Sequence, residues 1–178
     1  MSDTAVADMT RLVDALVKQE TPIDIATMSK LAGEIGKTFG VKDDEVAILT
    51  TTPDEKFLQF VVPIALQNIG TIPVTSTSSL AARTAREKRP EIINNFTISR
   101  HSTVFEAVPL ERKHRGDPSQ KIMSAPVMLE NKIAGVVQVS RKGKTVGSAG
   151  PDFAPKELND LSAFAAQVGR CFKLLSLK

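Results

Sequence analysis

The 178-residue chain has no tryptophan, no tyrosine, one cysteine and two histidines. Its eight phenylalanines are the whole aromatic complement, so no phenol or indole is there to anchor a ligand by hydrogen bonding. The single Cys171 excludes an internal disulfide, and with it the oxidised scaffolds typical of small secreted domains. His101 and His114 stand apart, with no cysteine or carboxylate partners at metal-ligand spacing, so no metal site is expected. Neither a Walker-type phosphate loop nor a GxGxxG pattern occurs. No nucleophile elbow surrounds a serine, and Ser102 beside His101 does not make a catalytic pair. No run approaches the roughly 20 apolar residues of a membrane span; the longest, around Phe57 to Leu66, is broken by Gln59 and Pro63. Charge is balanced, with 23 Lys and Arg against 20 Asp and Glu, and the basic residues are spread rather than gathered into the face that nucleic-acid binding uses. The opening MSDTAVADMT carries acids where a secretory signal carries basic residues. A cytoplasmic protein is expected, with neither nucleic acid nor membrane as partner.

What is present fits one globular domain: 42% hydrophobic and 24% charged residues, in a chain long enough to bury about 70% of its unfolded surface. Val6, Met9, Val13 and Leu16 recur at helical steps and predict an N-terminal helix within residues 1–20. Thr21, Pro22 and Asp24 read as the start of a second helix, with Met28, Leu31, Ala32, Ile35 and Phe39 on its buried face and Gly40 as its stop. Extended runs at 45–51 and 57–64, joined by TPDEK, predict a hairpin. Residues 77–89 predict a helix ended by Pro90, followed by a short strand at 91–94 and a short helix at 99–107. Residues 121–142 (KIMSAPVMLENKIAGVVQVSRK) form the clearest hairpin, turning at Glu130, Asn131 and Lys132. Pro126 lacks a ladder donor, so its strand should lie at an edge or carry a bulge there. From Pro155 a last helix carries Leu158, Leu161, Ala165, Val168, Phe172 and Leu175 at alternating steps of three and four. Strands and helices are segregated, which predicts an α+β fold with an antiparallel sheet. The terminal helices would cover one face, and the irregular stretch 67–120 would form a helical lid on the other.

Three stretches in order, SSLAARTAREKRPEIINNF, the 121–142 hairpin and DFAPKELNDLSAFAAQV, make residues 22–175 resemble a GAF domain, a small-molecule sensing and dimerisation module. The resemblance implies a ligand pocket roofed by residues 68–120, with 21–178 as a single GAF-like domain. Family members that bind cyclic nucleotides carry Asn-Lys after the return strand, then Phe, three residues and Asp-Glu. The corresponding residues here are Arg141, Lys142, Phe153, Glu157 and Leu158, so only Lys and Phe are kept. An exposed latch between Lys142 and Glu157, with Phe153 packed beneath, is expected in place of a nucleotide site. The bilin attachment cysteine is missing, since Arg100 precedes His101. The family's methionine-sulfoxide reductases need several pocket cysteines, and one Cys cannot be both attacking and resolving thiol.

The candidate ligand-binding residues are Asn95, Phe96, Arg100, His101, Ser102, Phe105, Met123, Ser124, Val137 and Gln138. Asn94, Asn95, Arg100, His101 and Ser102 would hydrogen-bond a polar or anionic ligand, and Phe96, Phe105, Met123 and Val137 would supply apolar walls. Phe96 and Phe105 have a second reading, in which they seal the lid onto the sheet. Whether Ser124 and Gln138 face the pocket depends on register, which the sequence leaves open. The expectation is a non-enzymatic small-molecule sensor, its cofactor unspecified, dimerising through terminal helices and acting on a separate effector protein. The alternative is a structural dimer with a collapsed pocket. A last helix extending past the sheet from about Val168 to Leu175 would favour the dimer.

Overall fold

A computed structural model describes residues 2–96 and 117–176. Helices α1 (Ser2–Gln19) and α2 (Ile25–Phe39) lead into strands β1 (Val46–Thr51), β2 (Phe57–Val62) and β3 (Thr71–Pro73). Helix α3 (Leu80–Glu87) and strand β4 (Glu91–Ile93) follow, then the long hairpin β5 (Ser119–Leu129) and β6 (Lys132–Lys142), and helix α4 (Pro155–Phe172). The strands form one antiparallel sheet in the order β3-β2-β1-β6-β5-β4. This is the α+β layout expected. The expected short helix at 99–107 lies outside the described residues.

Helix α2 starts later than Thr21 and Pro22 suggest. Asp24 is its cap, accepting the Thr27 N–H at 2.8 Å, and that bond with the Thr27 hydroxyl holds the Asp24 carboxyl below its usual range. Gly40 ends the helix with φ +66°, a left-handed conformation in which a side chain is strained. Between Gly40 and β1, the buried carboxylate of Glu45 accepts the backbone N–H groups of Lys42 at 2.8 Å and Lys142 at 2.7 Å. It thereby pins the end of β6 to the entry of β1. Pro126 sits where the sheet tolerates it: β4 pairs only with Ile122 to Ser124, so no strand needs a donor from Pro126 on that side.

Alternation along the strands divides the core. Val46, Ile48, Met123, Ala125, Val127, Val137 and Val139 face α1, α2 and α4, where they meet Met9, Val13, Ile35, Leu161, Phe164 and Val168. Ala47, Leu49, Leu58, Phe60 and Val136 face α3 and its approach, meeting Leu66, Ile72, Ala81, Ala82 and Ala85. At about 25 cal/mol per Å² of apolar surface, both layers contribute to stability. Helix α4 does not run past the sheet. Val168 and Cys171 are buried in the domain's own core, and the chain leaves the helix so that Leu175 bridges Ile23 in the α1–α2 link. The three-four spacing of α4 is thus accounted for by packing within the domain. Among the described residues no helix is long and apolar enough to cross a membrane.

Candidate functional site

The lid face is built around α3. Ser79 caps it by accepting the Ala82 N–H at 3.2 Å, and Ala81, Ala82 and Ala85 are small enough to let the helix lie close against the sheet. Register places Ser124 and Gln138 side by side on adjacent strands, both buried and both beneath α3. Three side chains then form a directed relay. Thr84 donates its hydroxyl to the Leu80 carbonyl at 2.9 Å, so at its 2.7 Å contact with Ser124 it must accept, and Ser124 donates. Ser124 in turn accepts from Gln138 Nε2 at 3.2 Å. The relay satisfies buried hydroxyls and ties α3 to the middle of the sheet. Neither Thr84 nor Gln138 can take a proton from Ser124, so the relay offers polar recognition and no activated nucleophile.

Beside it, Phe96 is fully buried with Leu80 and Ile122, and its backbone N–H donates to the Gln120 carbonyl at 2.8 Å. This is the sealing role, with the ring filling the lid side. Asn95 is exposed. Met123 and Val137 do not join this group: alternation sends both into the helix-side core, so the expected apolar walls from these two residues are on the wrong side of the sheet. Arg100, His101, Ser102 and Phe105 lie outside the described residues, as does His114.

A second polar centre lies at the start of α4. Arg141 donates to the carbonyls of Pro151 at 2.9 Å and Phe39 at 3.1 Å, and to Glu157 at 3.3 Å, while its guanidinium stacks 4.0 Å from the Phe153 ring centre. Glu157 uses its other oxygen to accept the Ala154 N–H at 3.0 Å, capping the helix. Neighbouring Lys121, almost wholly buried, reaches the Gly150 carbonyl and Asp152, both at 2.7 Å. Asn94 grips the Phe153 peptide on both sides, accepting its N–H at 2.9 Å and donating to its carbonyl at 3.2 Å. The exposed latch expected between Lys142 and Glu157 is replaced by one between a buried Arg141 and a half-buried Glu157. Lys142 turns to Asp44, at 3.6 Å from its carboxylate, because strand alternation puts Arg141 and not Lys142 on the face that carries α4. Phe153 does pack beneath, as expected. Lys121, Asn94 and Glu45 were not foreseen as structural ties, although a lysine that opens a long apolar strand, just ahead of Ile122 and Met123, is a signal of a buried pair.

The lone thiol stands apart from both centres. Cys171 is buried against the helix side of the sheet, and burial pushes its pKa up to about 11, which keeps it a thiol at neutral pH. Among the described residues no group of three His, Cys, Asp or Glu is placed to hold a metal ion.

The GAF domain family model matches residues 25–172. The chain belongs to the GAF domain family. Solved structures similar to it include the GAF domain of the Acinetobacter phosphoenolpyruvate-protein phosphotransferase, with TM-score 0.68, 12% identity and coverage of 97% of this chain and 93% of that one. The corresponding domain from Coxiella burnetii gives TM-score 0.67 at 9% identity, covering 94% and 90%. Free methionine-R-sulfoxide reductase from Neisseria meningitidis, solved with its substrate, gives TM-score 0.64 at 14% identity, covering 98% and 93%. At these identities the likeness is one of fold. No curated protein sequence matches the chain. Within this GAF domain the match begins at α2, and α1 packs its Met9 and Val13 into the same core.

Proposed function

We propose that this GAF domain is a non-enzymatic regulatory module that takes a small molecule on the lid face, between α3 and the central strands. The observation that carries the reading is the Gln138–Ser124–Thr84 relay: three buried polar side chains at the centre of a face otherwise lined by Ala, Leu, Val and Phe. An apolar enclosure with a few convergent polar groups is the usual composition of a small-molecule site. A ligand with a hydroxyl, amide or carboxylate would exchange hydrogen bonds with the relay. The absence of catalysis is supported by the placement of Cys171, whose thiol is buried on the opposite face, where reductase chemistry has no access to a thiolate.

Output would pass through the terminal helices to a second copy and to a separate effector protein. Leu12, 42% exposed on the outer side of α1, is the large apolar side chain available for such a contact. A collapsed-pocket structural dimer is the second reading, and the complete burial of Phe96 against Leu80 and Ile122 favours it. Thermal-shift and calorimetric titration against nucleotides, amino acids and haem separate the two. Saturable stabilisation by one class supports the regulatory reading; a flat response to all of them leaves the structural dimer.

A further inference from the structure

Residues 94–96 straddle the edge of the sheet. The Asn94 side chain reaches the helix side and brackets the Phe153 peptide, just ahead of α4. Two residues later the Phe96 ring is seated on the lid side with Leu80 and Ile122, its N–H held by the Gln120 carbonyl. Three consecutive residues therefore touch the lid-face core and the entry of the terminal helix. We infer that this segment is a rocker, through which the packing around Phe96 on the lid face sets how firmly the first turn of α4 is held.

The physical basis is the stiffness of so short a lever. With Phe96 locked by packing and by its backbone hydrogen bond, Asn94 has little freedom, and its two-point grip fixes both the N–H and the C=O of Phe153. The ring of the same residue is the floor of the Arg141 stack, and the adjoining Ala154 N–H is the one that Glu157 caps. A shift of Phe96 that pulled Asn94 away would release the peptide and loosen the helix start. The rocker has two arrangements, gripped and released, and anything that binds one better shifts the balance between them. The inference rests on the proposed lid-face ligand only for its biological use; the mechanical link stands on the contacts.

Hydrogen exchange followed by mass spectrometry on the ligand-free full chain tests it. Phe96→Leu trims the lid-face packing, and Asn94→Ala cuts the lever. Phe96→Leu is expected to speed exchange of the first-turn amides of α4, around Leu158, by about fivefold or more. In an Asn94→Ala background the same change should add almost nothing. Arg141→Met loosens the same turn by a different contact and should leave the Phe96→Leu increment intact. An unchanged α4 in Phe96→Leu overturns the inference, and so does an equal increment with and without Asn94. If Phe96→Leu proves too disruptive to fold, Phe96→Met with the same readout replaces it. Because no ligand enters the experiment, its failure is separate from that of the ligand screen, which bears on the function alone.

Discussion

Arg141 stacks on Phe153 at 4.0 Å while its guanidinium holds the carbonyls of Phe39 and Pro151 and the carboxylate of Glu157. One side chain therefore joins the end of α2, the loop before α4 and the first turn of α4 itself. Its fork geometry matters as much as its charge, since a lysine ammonium cannot span the same acceptors or stack as a plane. Arg141→Ala is expected to cost about 2 kcal/mol, because it removes a buried guanidinium that serves two carbonyls, a half-buried carboxylate and the face of Phe153. Arg141→Lys should lose a substantial part of the same stability. Urea denaturation of the three proteins checks the order.

The relay beneath α3 makes a prediction about coupling. Thr84→Val keeps the shape of the side chain and leaves the Ser124 hydroxyl without an acceptor, at a cost of about 1–3 kcal/mol. Ser124→Ala removes that stranded donor. The double variant should therefore be less destabilised than the sum of the two singles, by about 1 kcal/mol. Simple additivity in a denaturant double-mutant cycle would mean that the Thr84–Ser124 contact contributes nothing.

Three glycines give opposite signs. A Cβ at Gly135 would run into the Leu49 carbonyl oxygen and lie 2.7 Å from the Phe172 ring, and one at Gly169 would lie 2.8 Å from the Met128 carbonyl oxygen. Alanine at either position forces backbone apart and should destabilise by about 2 kcal/mol or more. Gly33, inside α2, has nothing within 4 Å of the same point. Gly33→Ala should stabilise by about 0.5–1 kcal/mol through helix propensity. Thermal melts of the three variants distinguish the cases.

Cys171 links folding to alkaline pH. Its folded pKa, raised to about 11 from 9.0, means that folding favours the protonated thiol. The associated stability is complete below pH 9 and is lost as pH climbs through about 11. The stability difference between the wild type and Cys171→Ala should accordingly shrink across that interval. A disulfide-exchange reagent at pH 8 should leave the native thiol unlabelled and react fully once denaturant is added; prompt native labelling would contradict the burial.

Much of the architecture was legible because alternation and helical periodicity are local signals. The hairpin turning at Glu130 and Asn131 follows from composition alone, and both turn residues adopt positive φ, 54° and 66°. The start of α2 was misjudged because Thr21, Pro22 and Asp24 are all competent near a helix start, and which one caps is decided by the tie of Ile23 to the chain after α4. The site was less legible. Met123 and Ser124 are neighbours in a strand, so they point to opposite faces, and only the pairing with β6 and the position of α3 tell which face is the lid. The same one-residue parity gave the latch to Arg141 instead of Lys142. β3, three residues long, carries too little pattern to be read in advance.

The most direct test of the regulatory reading is an amide-resolved nuclear magnetic resonance titration of the intact chain with nucleotides, amino acids and haem in turn. A ligand on the lid face should move the Thr84, Ile122, Ser124 and Gln138 resonances saturably, with smaller changes following at Phe153 to Leu158. Compounds that leave all four lid-face resonances unmoved, or that shift only α1 and α4, would contradict it.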